Sequence, residues 1–309
     1  MRPKELGALV LLGVIWGSSF LFIRVAVPAL GPFVLMDMRV LLAAAALALY
    51  AMVLSRLPKL RARWKEFLTI GALNAAIPFS LIAAAEINLT ASLAAILNAT
   101  TALFAAVVAA VWVGEALTIK KAAGLVAGIV GVAVLVGWTP IAPSLVVLLS
   151  VGASLLAAFS YALGGVYVKR NFAGIPALAM AIGQQAAAAT ILLPLAATSL
   201  PGEVPSLAAV SSALALALLC TAVAYLIYFY LIANAGPTKT LTVTFLSPVF
   251  GLAFGVLFLD EPVGIGTLIG LGIILSSVAL VTEARFGGAK EENKQGGDEV
   301  EEDTVQGAQ

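Results

Sequence analysis

The sequence predicts an all-α membrane protein: ten transmembrane helices arranged as two inverted five-helix repeats, with both termini cytoplasmic. Three observations carry that expectation. Hydrophobic residues make up 62% of the 309-residue chain and charged residues 11%, where a soluble domain carries about 25% charged and 45–50% apolar residues. The apolar residues fall in continuous Leu/Ala-rich runs of about twenty, the length at which a helix crosses hydrocarbon; barrel strands would alternate instead. Basic residues collect in every second loop.

In order, the runs are Leu6–Val27, Phe33–Leu54, Phe67–Ile87, Ala91–Val113, Ala122–Trp138, Leu145–Val168, Ala177–Thr198, Leu207–Ala233, Leu241–Leu259 and Gly264–Thr282. Turn formers separate them: Pro28, Gly31–Pro32, Pro58, Pro140–Pro143, Pro176, Pro201–Pro205, Gly236–Pro237 and Pro262,. The first run lacks a signal-peptide cleavage pattern and is expected to be retained. Arg2 and Lys4 precede it; Arg56, Lys59, Arg61, Arg63 and Lys65 follow the second. Lys120–Lys121, Lys169–Arg170, Lys239 and finally Arg285, Lys290 and Lys294 follow the fourth, sixth, eighth and tenth. The intervening loops are nearly free of Lys and Arg, apart from Arg24 and Arg39. Positive charge stays inside, which puts both ends in the cytoplasm.

Val111–Val136 and Leu257–Thr282 share one succession of features, an apolar run, an acidic turn and a glycine-rich apolar run. At an offset of 146 residues Glu115 falls on Glu261, Ile119 on Ile265, Gly124–Leu125 on Gly270–Leu271 and Val132–Ala133 on Val278–Ala279. A period of that length points to duplication. Five spans per copy is an odd number, so the second copy is inverted. The expected units are 1–139, 140–283 and an acidic, disordered cytoplasmic tail over 284–309; eight acidic and three basic residues follow Thr282,. Inverted repeats are a recurring design of secondary transporters, with the solute near the midplane between them.

The chain has no histidine and a single cysteine, Cys220. Without histidine there is no Ser–His dyad and no ordinary zinc site. The expectation is a protein that is not an enzyme and carries neither metal nor cofactor.

Trp16–Gly17 in the first run, the Gly114–Glu115–Ala116–Leu117–Thr118 turn after the fourth and the glycines from Gly124 onward resemble the first half of an EamA-type member of the drug/metabolite transporter superfamily. Tyr161–Ala162, Pro248 and Asp260–Glu261–Pro262 resemble the second half. The resemblance covers everything before the tail. It implies a ten-helix transporter with a central cavity between two five-helix bundles, most like the bacterial aromatic amino-acid (YddG-like) exporters. Two departures stand out: the usual Trp–Ala of the second half is Tyr161–Ala162, and Pro248 has Ala102 as its repeat counterpart. The implied function is export or facilitated passage of neutral or aromatic amino acids and related small metabolites by alternating access. It implies a bacterial cytoplasmic (inner) membrane setting, with membrane lipid and a small-molecule amino acid as partners and no nucleic acid; monomer and homo-oligomer are both left open. The alternative is a multidrug or other small-metabolite exporter of the same superfamily, with a channel or a non-transporting scaffold more remote. Small multidrug pumps carry an acid mid-way through the first span, where this chain has Trp16. A sugar-phosphate carrier would want Lys or Arg at the midplane, where the sequence shows none.

Polar residues at membrane depth must be satisfied by a neighbouring helix or by water, which makes them site candidates. Trp16 and Ser19 lie in the first span, Asn74 and Phe79 in the third, Asn98 and Thr101 in the fourth and Tyr161 in the sixth. Thr221, Tyr225 and Tyr228 share one face of the eighth; Thr240, Thr244 and Ser247 share one of the ninth,. Each Ser or Thr has an alternative, a bond to a carbonyl of its own helix. Pro78 and Pro248 are candidate hinges. Gln184 and Gln185 are read as cross-helix bonds, and the glycines of the fifth and tenth spans as packing. Glu86 with Arg39 or Arg24, toward the outer ends, is a possible ion pair or proton-coupling site; interfacial snorkelling is the other reading.

Overall fold

The structure, a computed structural model, describes residues 1–58, 60–138 and 144–282, without the side chains at 237 and 238. Lys59, the Pro140–Pro143 break, the tail with Arg285, Lys290 and Lys294, and the end of the second unit lie outside the described residues. Within them the chain is all-helical, with no strand. Seven helices are long and apolar enough to cross a membrane: α1 Pro3–Val53, α2 Leu60–Ala85, α3 Ala91–Val113, α4 Ile119–Gly137, α5 Leu145–Asn171, α6 Ala177–Ala197 and α7 Leu207–Ala235. Two shorter apolar helices follow, α8 Val243–Leu259 and α9 Ile265–Val281.

The first helix is 51 residues long and absorbs both of the first two apolar runs. Its path breaks at Gly31 (φ 69°, ψ 163°), between Pro28 and Pro32. Only glycine takes that backbone region readily, and each proline withdraws a ladder donor.

Three further helices are interrupted inside the apolar runs. In α2 a π turn spans Ala72–Ala76, immediately before Pro78. In α7 a π turn spans Leu218–Val223. The two π turns start 146 residues apart, the offset of the sequence repeat. In α3 the ladder breaks at Ala99–Thr100, where the Thr100 and Thr101 hydroxyls bond to the Leu97 and Asn98 carbonyls (2.6 and 2.7 Å). Hydroxyls that back-bond in this way compete with the helix ladder.

The first helix runs through the main core and packs on α6, α7 and α8. Small residues permit the closest crossings. Gly17 lies against α8 so tightly that a Cβ there would stand 2.6 Å from the Phe250 Cβ and 2.9 Å from the Ser247 carbonyl. Gly124, Gly128 and Gly131 of α4 pack on α9 and α3, and Gly266 and Gly270 meet α4 and its end; Gly272 meets nothing.

Candidate solute site

The π turn of α7 and the segment of α1 after Gly31 meet at Arg39, which is 6% exposed. Its Nε donates to the Thr221 hydroxyl at 3.0 Å. Thr221 sits in the π turn and donates onward to the Leu216 carbonyl five residues back, at 2.8 Å. The guanidinium lies over the Phe79 ring, 3.8 Å from its centroid, a geometry in which the ring quadrupole attracts the cation. Phe79 meets Tyr161 edge-on at 6.3 Å. Tyr161, Cys220, Tyr225 and Glu86 all stand within electrostatic range of Arg39.

A second chain of polar contacts adjoins this centre. Asn74 donates to Gln184 Oε1 (3.4 Å), and Gln184 Nε2 donates to the Tyr225 hydroxyl (2.7 Å). The Asn74 amide presses on Gly164, where a Cβ would meet its oxygen at 2.1 Å. One line of side chains thus links α2, α6 and α7, with Asn74 packed against Gly164 of α5. Tyr225 continues through Phe229 (5.7 Å) to Tyr228 (6.0 Å from Phe229), and Tyr228 meets Trp16 of α1 at 5.6 Å.

Seven of the candidate residues therefore fall in two adjoining clusters, Arg39, Phe79 and Tyr161 in one and Trp16, Asn74, Tyr225 and Tyr228 in the other. Ser19 is buried, with its hydroxyl facing the Cys220 thiol. Others behave as helix-internal residues. Thr101 and Thr244 bond to the Asn98 and Leu241 carbonyls at 2.7 and 2.8 Å. The faces assumed for them are also broken. Asn98 and Thr101 flank the interruption of α3, and the turn at Leu241–Thr242 separates Thr240 from Thr244 and Ser247. Asn98 keeps an orphaned side-chain oxygen. Pro248 lies inside α8, where Ser247 and Pro248 are both buried.

The Glu86 pairing takes a different form from the one expected. Arg24 reaches the backbone carbonyls of Glu86 and of Ile87, the latter at 3.1 Å. Helix α2 ends at Ala85, and Arg24 takes up the two carbonyls that follow its last turn. The Glu86 carboxylate is fully buried, with both oxygens unpartnered among the described residues. Neither Arg24 nor Arg39 forms an ion pair with it; among the described residues the ion pairs join Arg63 to Glu66 and Glu115 to Lys121 and Lys169.

Thr221, Gln184 and Arg39 were legible as residues, and Gln184 makes the cross-helix bonds expected of it; the roles of Thr221 as the Arg39 acceptor and of Arg39 as the centre were not legible. The 146-residue register gave no signal for these contacts, since it sets Phe79 on Tyr225 and Arg39 on Gln185 while the contacts join Phe79 to Tyr161 and Arg39 to Thr221. A cavity of about 610 Å³ lies elsewhere, bounded by Arg24, Pro28, Ile87, Thr90 and Leu259–Pro262, and contains none of the central rings.

Long apolar helices interrupted at depth, around a buried polar and aromatic centre, define a multi-pass membrane protein of the transporter class. Comparison with known sequences makes this specific. The EamA-like transporter family model matches residues 4–137 and again 148–283, and the chain belongs to that family. It is a transporter rather than an enzyme. It is 29% identical over 300 residues to the uncharacterized inner membrane transporter YedA of Escherichia coli K12, covering 93% of this chain and 94% of that one. It is also 29% identical to a probable terminal-alkyne amino-acid exporter of Streptantibioticus cattleyicolor, covering 95% and 98% of the two chains. A solved crystal structure shares the fold at a TM-score of 0.64 and 18% identity, covering 92% of this chain and 98% of that one.

Proposed function

We propose that the protein exports neutral and aromatic amino acids, with related small metabolites, across a bacterial cytoplasmic membrane by alternating access. The observation that carries this reading is the composite centre. Arg39, Asn74 and Phe79 come from the first half; Tyr161, Gln184, Thr221 and Tyr225 come from the second. Rings offer rigid apolar contact, while amides and hydroxyls orient a polar end. The exporter among the relatives supports an amino acid as the solute, and the YddG-like resemblance supports an aromatic one.

Dividing α1 at Gly31 and counting the 17-residue α8 and α9 as spans gives ten, five in each half. The double match of the family model and the paired π turns support duplication. Five spans invert the second copy. Contacts at the ends agree with that arrangement: Arg24 on Glu86 and Ile87, with Glu261 on Ala91, join one face, and Lys169 with Glu115 joins the other. In this reading the second face and both termini are cytoplasmic, which the basic loops support. In this reading Pro78 and Pro248 are the bends about which the halves rock.

Cells test the direction and the substrate class. Bacteria overproducing the protein should tolerate p-fluorophenylalanine better than control cells and hold less labelled phenylalanine. Unchanged tolerance and unchanged content, with the protein in the membrane, would defeat the export reading.

A further inference from the structure

We propose that Arg39 holds the carboxylate of the transported solute; this rests on, and narrows, the amino-acid reading of the same site. A guanidinium taken out of water is costly to keep unless it is paired and hydrogen-bonded. Arg39 is 6% exposed, yet among the described residues no carboxylate comes within ion-pair distance of it. Glu86 is in electrostatic range, but both of its oxygens stay unpartnered among those residues.

What Arg39 does contact fixes its plane and leaves its terminal donors free. Nε is used on Thr221. Phe79 covers one face of the guanidinium at 3.8 Å, and stacking on a face engages none of the in-plane N–H groups. The two terminal nitrogens have no hydrogen-bond partner among the described residues. That leaves the outer fork of the guanidinium, the part that takes a carboxylate through two parallel hydrogen bonds. Being held at Nε and on one face, it is organised before the ligand arrives. Tyr161 and Tyr225 are within electrostatic range of the guanidinium, and the Phe79–Tyr161 pair offers ring surface beside it. The chemistry selects a monocarboxylate with an apolar or aromatic body.

The test is binding to the purified full-length protein in lipid nanodiscs, with three probes of one shape: phenylalanine, 3-phenylpropionate and phenethylamine. The two carboxylates are expected to bind at least about 10-fold more tightly than the amine. Arg39→Gln should remove that preference by weakening both carboxylates while leaving phenethylamine unchanged. Arg39→Lys, which keeps the charge and loses the fork, should fall between. Glu86→Gln should keep the preference. The proposal is overturned if the wild-type protein binds phenethylamine as well as the carboxylates or binds none of the three. It is equally overturned if Glu86→Gln abolishes the preference as fully as Arg39→Gln, since Arg39 would then act as the partner of Glu86. The wild-type comparison decides even if Arg39→Gln fails to fold. Carboxylate binding without any transport would sink the export reading alone.

Discussion

Glu115 and Glu261 stand 146 residues apart at the ends of matching helices, with like backbones and unlike side-chain partners. The Glu115 amide donates to the Ala109 carbonyl (3.3 Å) after Gly114 at φ 78°, and the Glu261 amide donates to the Gly255 carbonyl (3.1 Å) after Asp260 at φ 51°. Both helices therefore close with a left-handed residue and the same six-residue bond. The Glu261 carboxylate then accepts from the Ala91 and Ser92 amides (2.7 and 3.0 Å) and the Ser92 hydroxyl (2.5 Å). Glu115 instead reaches Lys169 and Lys121, at 3.1 and 3.9 Å, at the surface.

That difference sets an expectation for stability. Glu261 satisfies orphan donors at the start of α3 and is 9% exposed. Glu261→Ala should cost about 1–3 kcal/mol, seen as a lower Tm of the detergent-purified protein. Glu115→Ala removes an exposed pair and should cost less than about 1 kcal/mol. Equal losses from the two substitutions would contradict the capping role given to Glu261.

The Asn74–Gln184–Tyr225 chain makes a second contrast. Tyr225→Phe keeps the ring beside Phe229 but leaves the buried Gln184 amide, 2% exposed, without its acceptor. An orphaned buried donor costs about 1–3 kcal/mol. Both the Tm and the transport rate should drop, and Gln184→Leu in the same protein should recover part of the Tm without recovering transport. Full activity in Tyr225→Phe would remove the chain from the site.

Packing of α1 on α8 can be tested at glycine. Gly17→Ala puts a methyl group where the Phe250 Cβ and α8 backbone atoms already stand, and overpacking of this kind typically costs about 1–3 kcal/mol. Gly165→Ala, with nothing within 4 Å, should leave the melting curve where it is. The helices would be less tightly joined than described if both variants melted like the wild type.

Topology has its own measurement. Leu117→Cys and Pro262→Cys place exposed thiols beside the two acidic turns, while the native Cys220 is buried at 1% exposure. A membrane-impermeant maleimide added to intact cells should label position 262 and spare position 117 until the membrane is opened. Labelling of both from one side would rule out inversion of the second half.

Much of this was legible in the sequence because the bilayer imposes it. Apolar runs of about twenty residues, broken by Gly31–Pro32 or Pro262, can do little else in hydrocarbon. The aromatic and amide residues Trp16, Asn74, Phe79, Tyr161, Tyr225 and Tyr228 stand out in the sequence for the same reason, since few such residues lie in the spans. The setting of Arg39 was not legible. One span's sequence shows a charge near an end; the ring of Phe79 and the hydroxyl of Thr221 come from two others. Helical phase failed at the interruptions. Thr240, Thr244 and Ser247 share a face only on an unbroken helix, and the chain breaks at Leu241–Thr242. Glu86 sits just beyond the end of α2, and there the backbone carbonyls, rather than the carboxylate, drew Arg24.

The most direct measurement is counterflow of labelled phenylalanine into proteoliposomes preloaded with unlabelled phenylalanine. The expected result is saturable, transient accumulation, abolished in Trp16→Ala/Tyr228→Ala and cut at least about 10-fold in Arg39→Gln. Uptake no greater than in empty liposomes, or a flux that rises linearly with concentration and ignores the unlabelled pool, would contradict a carrier built around this centre.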